Sequence, residues 1–395
     1  MNEVFIVAAK RTPVGGFLGN LSDLSAVKLG QIAINGALAE TNIPFEAIDS
    51  VYMGNVLSAN LGQSPARQAS KFAGIDDKTD ATTVNKVCAS GMKAVMLGVQ
   101  QIQLGIDNIV IAGGMESMSN VPHYSQQRKG NKLGNTNFTD GLLKDGLTDA
   151  YNDQHMGRLA ELCARKYNLS REDQDQFALS SYSKATIATK SGKFKNEIIP
   201  IEIQQKNSSV VISEDEDIFK IIPEKLPKLP PVFEEGGTIT AANASNLNDG
   251  ASALILVSQE ALEKYNLVPL AKIIGYADAA QATEWFTTSP SIAIPKALKQ
   301  ARLSLEEIDY FEINEAYSAV ILANQKILGI NPEKINIYGG GVAIGHPIGA
   351  SGARIITTLT SVLRQEGGKY GVASICNGGG GASAIVIENL STGKI

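Results

Sequence analysis

Two cysteines and one histidine stand where they could do covalent chemistry. Cys88 lies in VNKVCASGMKAV (84–95), after a strand-like run and before a helix whose first turn carries Ser90 and Gly91. A thiol there meets unpaired backbone N–H groups and the positive end of the helix dipole, which stabilise thiolate and can pull its pKa below the free value of about 8.5. The same N–H groups can cradle an oxyanion. A buried structural cysteine is the alternative. His346 sits in the Gly-rich loop GGGVAIGHPIGASGAR (339–354), again at a strand-to-helix junction. A Cys–His pair is the usual device for activating a thiol nucleophile. A structural loop histidine or a phosphate-gripping loop would also account for it, although the spacing fits neither the P-loop nor the Rossmann fingerprint.

Cys376 precedes four consecutive glycines in SICNGGGGASA (374–384), more than a turn requires, so something needs close backbone access there. Cys88 and Cys376 do not form a C-x-x-C pair and no carboxylate cluster accompanies them, so acid–base work suits the second thiol better than a zinc site. EINEAYS (312–318) places Asn314 and Glu315 at the end of an apolar run. They are either functional groups or caps for the helix that follows.

The elements that must bring these residues together are repeated. At an offset of 260, IAINGALAETNIPFEAIDSVYMGNVLSA (32–59) matches IAIPKALKQARLSLEEIDYFEINEAYSA (292–319), each reading as an amphipathic helix, a short linker and a buried strand. The Ala-Ser-Gly after Cys88 recurs at 350–352 before a second apolar-periodic helix. Strands starting Gly-Ala-Ser-Ala at Gly250 and Gly381 close the two halves. Asn314 and Glu315 break the repeat, for their first-half counterparts are Gly54 and Asn55. About 130 extra residues interrupt the first half, which predicts three units: 1–117 plus 250–269, an inserted domain 118–249, and 270–395. The charged, Pro-rich stretch 212–231 reads as exposed loop and the insertion as a loose surface flap, with helices over 155–168 and 171–192 supplying some order. Alternating helices and apolar strands predict an α/β protein with helix-covered layers.

With 395 residues, 44% of them hydrophobic and 19% charged, the chain is long enough for several domains. A net charge of −5 without a basic run argues against nucleic acid. Apolar runs are too short to span a membrane. Three cysteines argue for a reducing compartment, and the N-terminus lacks signal-peptide or transit character, so the cytoplasm is expected, with a mitochondrial site and a missing presequence as the alternative.

VCASG, NEAY, GHPIGASG and CNGGGG, in that order on a duplicated core, resemble the thiolase family, and the resemblance extends from FIVAAKRTP through GGMESMS to ASAIVIENL. It implies the five-layered αβαβα thiolase fold, two pseudo-symmetric core halves with an inserted loop domain for CoA, and a homotetramer. It implies that Cys88 takes the acyl group, His346 accepts its proton and Cys376 shuttles the proton at the substrate α-carbon. Asn314, holding a water, would join His346 in one oxyanion hole, and the N–H groups of Cys88 and Gly378 would form another. His155 before Met156 resembles the short-chain biosynthetic type. Leu147, Ser245, Ala316 and Tyr317 would line the acyl and pantetheine path with them; Tyr317 departs from the Phe usual in the family.

The implied reaction is the reversible Claisen condensation of two acetyl-CoA to acetoacetyl-CoA and CoA through an acetyl-Cys88 intermediate. A degradative 3-ketoacyl-CoA thiolase of broader chain length is the alternative. No cofactor beyond the CoA substrates is implied. Potassium is a possible activator, since Tyr182, Ala241, Ala242, Ala244 and Val342 resemble the ion ligands of a potassium-responsive branch. Lys220, Lys225 and Lys228 are candidates for gripping the ADP end of CoA.

Overall fold

The computed structural model describes residues 2–204 and 208–391. The first half comprises β1 (Val4–Arg11), α1 (Ala26–Leu38), β2 (Ser50–Gly54), β3 (Asp80–Val84), α2 (Ser90–Gln103), β4 (Ile109–Ser117) and, beyond the insertion, β5 (Asn248–Ser258). The insertion carries α3 (Met156–Lys166) and α4 (Arg171–Lys190). The second half comprises β6 (Ala271–Ala280), α5 (Pro290–Ala301), β7 (Tyr310–Ile313), α6 (Ser318–Leu328), α7 (Ile348–Glu366), β8 (Tyr370–Asn377) and β9 (Gly381–Asn389).

The strands run β7-β8-β9-β6-β1-β5-β4-β2-β3. Read outward from the β6–β1 seam, β6-β9-β8-β7 repeats the order β1-β5-β4-β2, so the duplication seen in the residues is a duplication of topology. The seam is short: Phe5 pairs with Lys272 and Ile6 with Ala271, antiparallel. Every residue of β4 and β5 is buried, as central strands covered on both faces must be, and their runs 109–115 and 250–257 are made mostly of small and branched apolar residues. The helices α1, then α2 with α7, then α5 with α6, alternate with the two half-sheets, each pair of layers enclosing an apolar cluster. This is the expected αβαβα order.

Glycines let the middle layer close. A Cβ added at Gly352 of α7 would lie 2.4 Å from the Met92 nitrogen of α2, and one at Gly114 of β4 would lie 2.2 Å from the Gly349 carbonyl. Only residues without side chains allow the two central helices and the strand beneath them to approach so closely, and this approach brings the loops that carry Cys88 and His346 together.

The insertion is not a loose flap. Leu159, Ala160, Cys163 and Ala164 of α3 join the cluster under α5 and α6, and Ala178, Tyr182 and Ala185 of α4 pack against Val342 and Ala343. The charges of 212–231 do not all face solvent either. Asp215 is buried and bidentate to Arg11 of β1 (2.6 and 2.9 Å), whose Nε donates to Glu197 at 2.6 Å. Asp217 accepts from Asn246 and Asn248. The sequence pattern cannot separate solvated charge from charge paired across 200 residues. The proposed boundary at 249 falls inside β5, because the ladder with Gly15–Gly16 starts at Asn248, two residues before the self-match. Among the described residues no helix is long and apolar enough to cross a membrane.

Candidate active site

Cys88 follows Val87, a β-branched residue held at a φ of +47°, in a turn two residues ahead of α2. That conformation is costly and needs support. Asn85 Oδ1 accepts from the Val87 N–H at 3.0 Å, and Ser90 Oγ donates to the Val87 carbonyl at 2.6 Å while accepting from the Lys86 N–H. The expected depression of the Cys88 thiol is not found. Burial pushes it up to about 11, outweighing the backbone N–H groups of Gly378 and Cys88 that lean the other way. A helix N-terminus lowers a thiol pKa only when the thiolate also keeps enough solvation.

His346 precedes α7 and is almost fully buried. Its backbone N–H donates to Asn248 Oδ1 at 2.8 Å, and its Nδ1 lies 2.6 Å from Ser351 Oγ. Because Ser351 gives its own proton to the Pro347 carbonyl, Nδ1 carries the hydrogen and Nε2 keeps its lone pair. Burial, with Arg354 adding to it, holds the imidazole down to about 3. The resting pair is therefore neutral thiol and neutral imidazole, not an ion pair. Asn314 Nδ2 lies 3.4 Å from Nε2, and its Oδ1 has no partner among the described residues.

Cys376 is on β8, opposite Ala382. Burial raises its pKa well above the ordinary thiol value, and the neighbouring Cys88 raises it further. Tyr317 is raised too, by burial and then by both thiols, which keeps its hydroxyl protonated.

One cavity of about 390 Å³ is lined by Cys88, His346 and Gly378 together with all six residues expected along the acyl path: Leu147, His155, Met156, Ser245, Ala316 and Tyr317. Cys376 and Asn314 are buried and do not line this cavity. His155 caps α3, its Nδ1 accepting from the Gly157 N–H at 3.0 Å, and its ring stacks on Phe233 at 4.7 Å. Burial lowers its pKa, so it is a neutral Nε2–H donor. Glu315 does not cap α6, whose N-cap Tyr317 makes no side-chain bond. Instead Glu315 accepts from Ser181, Asn336 and the Val342 N–H, tying the His346 loop to α4.

Sequence reasoning missed Asn248, Ser351, Phe233 and Glu116. Glu116 accepts from Val56, Leu57, Gly349 and Asn55 and so joins the loop after β2 to the start of α7. Ser351 could have been found, because the repeated Ala-Ser-Gly matches it to Ser90 and each serine braces its reactive loop. The others become neighbours only on folding. Of the potassium candidates, Tyr182, Ala241 and Ala242 line an adjoining cavity of about 520 Å³, Ala244 lines the site cavity, and Val342 packs near Tyr182. Lys220 and Lys225 also line that second cavity, but Lys228 does not.

A thiol near a helix start, an imidazole with its Nε2 lone pair free, N–H donors and a second thiol are the groups that acyl transfer requires. The same conclusion comes from comparison. The thiolase N-terminal domain matches residues 4–260 and the thiolase C-terminal domain residues 267–389. Acetyl-CoA acetyltransferase 2 of Arabidopsis thaliana is 55% identical over 392 residues, covering 98% of this chain and 97% of that protein. The Acat5 thiolase of Ascaris suum, solved in complex with coenzyme A, superposes with a TM-score of 0.94 at 45% identity over 98% of this chain and 100% of that one. Human mitochondrial 3-ketoacyl-CoA thiolase gives 0.96 at 40% identity, over 98% and 99%. Architecture, site and sequence agree, and the chain belongs to the thiolase family.

Proposed function

We propose that the chain is an acetyl-CoA C-acetyltransferase, condensing two acetyl-CoA to acetoacetyl-CoA and CoA and catalysing the reverse. The observation that carries the reading is one cavity shared by Cys88, His346 and Gly378, with the buried Cys376 close enough to feel the charge of Cys88. Cys88 attacks the thioester carbonyl as its proton passes to His346 Nε2. CoA leaves as the thiolate and takes a proton from Cys376. The Cys376 thiolate then removes a methyl proton from the second acetyl-CoA, and the enolate attacks acetyl-Cys88. Cys88 departs and recovers its proton from His346. The covalent thioester splits one hard step into two and keeps the acyl group activated.

Two sets of donors serve the two oxygens that become negative. The N–H groups of Cys88 and Gly378 suit the tetrahedral intermediate on Cys88, and His346 with Asn314 suits the enolate. Neutral partners favour this cycle, because proton transfer is then coupled to attack on a bound thioester and an unused thiolate is not left open to oxidation.

Leu147, Met156, Ala316 and Tyr317 wall the acyl end, while His155 and Ser245 offer polar contacts along the pantetheine path. The short-chain reading rests on this wall and on the name of the Arabidopsis relative. Lys225 is the better candidate for the CoA phosphates, since Lys220 is already paired with Glu216 and Asp217 (2.9 and 2.8 Å). Potassium activation belongs to the same reading: the carbonyls of Ala241, Ala242 and Ala244 accept no backbone hydrogen bond among the described residues, and Tyr182 stands beside them. Identical rates in potassium and sodium buffers would remove it. A homotetramer fits the open edge of β3, whose backbone groups need covering, and light scattering tests it. The cytosol is the proposed compartment, consistent with three free cysteines.

The deciding experiment is incubation with acetyl-CoA, reading free CoA and an acetylated peptide containing Cys88, followed by thiolysis across a chain-length series. Acetyl-Cys88 and a steep fall in rate beyond short chains are expected. Efficient cleavage of 3-ketohexadecanoyl-CoA would replace this reading with the degradative one.

A further inference from the structure

Another cavity, of about 860 Å³, has no part in the chemistry above. Its walls come from every unit of the fold: residues 7–10 of β1, the turn 40–42 after α1, Lys195 and Asn196 of the insertion, the linker 266–270 between the halves, and the last turns of α7. Three cations face it, Lys10, Lys195 and Arg364, against one carboxylate, Glu40. Lys10 is committed, to Glu40 at 2.7 Å and to the Asn196 carbonyl at 2.9 Å. The other two have no carboxylate partner among the described residues. Arg364 gives only its Nε, to Ser391 Oγ at 2.9 Å. Burial lowers its pKa, with Glu40 compensating in part.

A guanidinium that is partly desolvated, only partly offset by Glu40, and whose terminal nitrogens have no hydrogen-bond partner among the described residues suits a planar or tetrahedral oxyanion that can take two parallel bonds. Lys195 supplies a second charge across the same space, and the hydroxyl of Ser361, one turn before Arg364, supplies a neutral donor. We propose that this cavity is a binding site for a small organic polyanion, carrying phosphate or carboxylate groups, separate from the CoA site. Arg364 lies about 24 Å along α7 from the helix start that follows His346, counting 1.5 Å per residue. A ligand here joins both halves and the insertion, and it grips the helix whose other end positions the catalytic base.

The test is calorimetry and thermal unfolding of the full chain with the substrate cavity saturated by CoA. Inorganic pyrophosphate and citrate are the probes, at constant ionic strength. Saturable binding of either probe is expected, with a concentration-dependent rise in Tm; which of them binds identifies the anion class. Arg364→Gln and, separately, Lys195→Gln should weaken that binding at least tenfold while leaving kcat/KM for acetoacetyl-CoA unchanged. Two results overturn the proposal: no saturable binding of either probe, or binding that survives both substitutions.

Discussion

Replacing Gly352 by alanine tests whether the approach of α2 and α7 sets the catalytic geometry. The new Cβ would stand 2.4 Å from the Met92 nitrogen and 2.8 Å from the Met92 Cβ, where ordinary contact starts at 3.4 Å. Backbone cannot bend away as a flexible side chain can, so the turn of α7 must withdraw by about 1 Å. That turn contains Ser351, whose hydroxyl holds His346 Nδ1 at 2.6 Å. A misplacement of about 1 Å costs on the order of 10²-fold in rate, and overpacking a core costs about 1–3 kcal/mol. Thiolysis of acetoacetyl-CoA, followed by loss of its enolate absorbance, should show kcat lowered about 100-fold in a folded protein of reduced Tm. Gly91→Ala is the graded control: its Cβ would meet Ala353 N at 2.9 Å, requiring a relief of about half as much, and its kcat should fall between the two. A Gly352→Ala enzyme with lowered Tm but kcat within twofold of the parent would refute the link between helix spacing and chemistry.

Cys376→Ala should still be acetylated at Cys88 by acetyl-CoA, whose leaving group is a thiolate, but lose condensation by at least about 100-fold, because a base at the methyl carbon is worth about 10²–10⁴; retained condensation would remove Cys376 from the mechanism. His346 is held down to about 3 when folded, against 6.5 when unperturbed. The unfolded chain therefore binds the extra proton between those values, so the contribution of His346 to stability is complete above pH 6.5 and is lost as the pH falls toward 3. Tm measured from pH 7 to 4.5 should decline less steeply in His346→Gln than in the parent, and equal slopes would contradict the assigned neutral state. Asp215→Ala leaves the buried Arg11 with one carboxylate partner, Glu197, and should cost about 3–5 kcal/mol in urea unfolding; a loss below 1 kcal/mol would mean that the insertion is not anchored there.

The residues by themselves marked the candidate reactive groups and determined the doubled plan. Cys88, His346 and Cys376 are marked by local spacing, and the repeat at 260 residues is a property of the string, so the matching strand orders on either side of the β6–β1 seam could be anticipated. The helices of the insertion were legible too, because a period of 3.6 is a local signal. Only the tertiary structure decided how firmly that insertion is held and in what protonation state the site rests. The Asp215–Arg11 pair spans 204 residues, and nothing in a charged, Pro-rich stretch says that its carboxylate is buried. Cys88 was expected to ionise easily because a helix start is visible in sequence, whereas the desolvation that overrides it comes from distant segments closing over the thiol. Asn248 and Phe233 act on His346 and His155 from positions that only folding brings near. Local pattern follows from short-range sterics and periodicity, but solvation is set by what arrives from elsewhere in the chain.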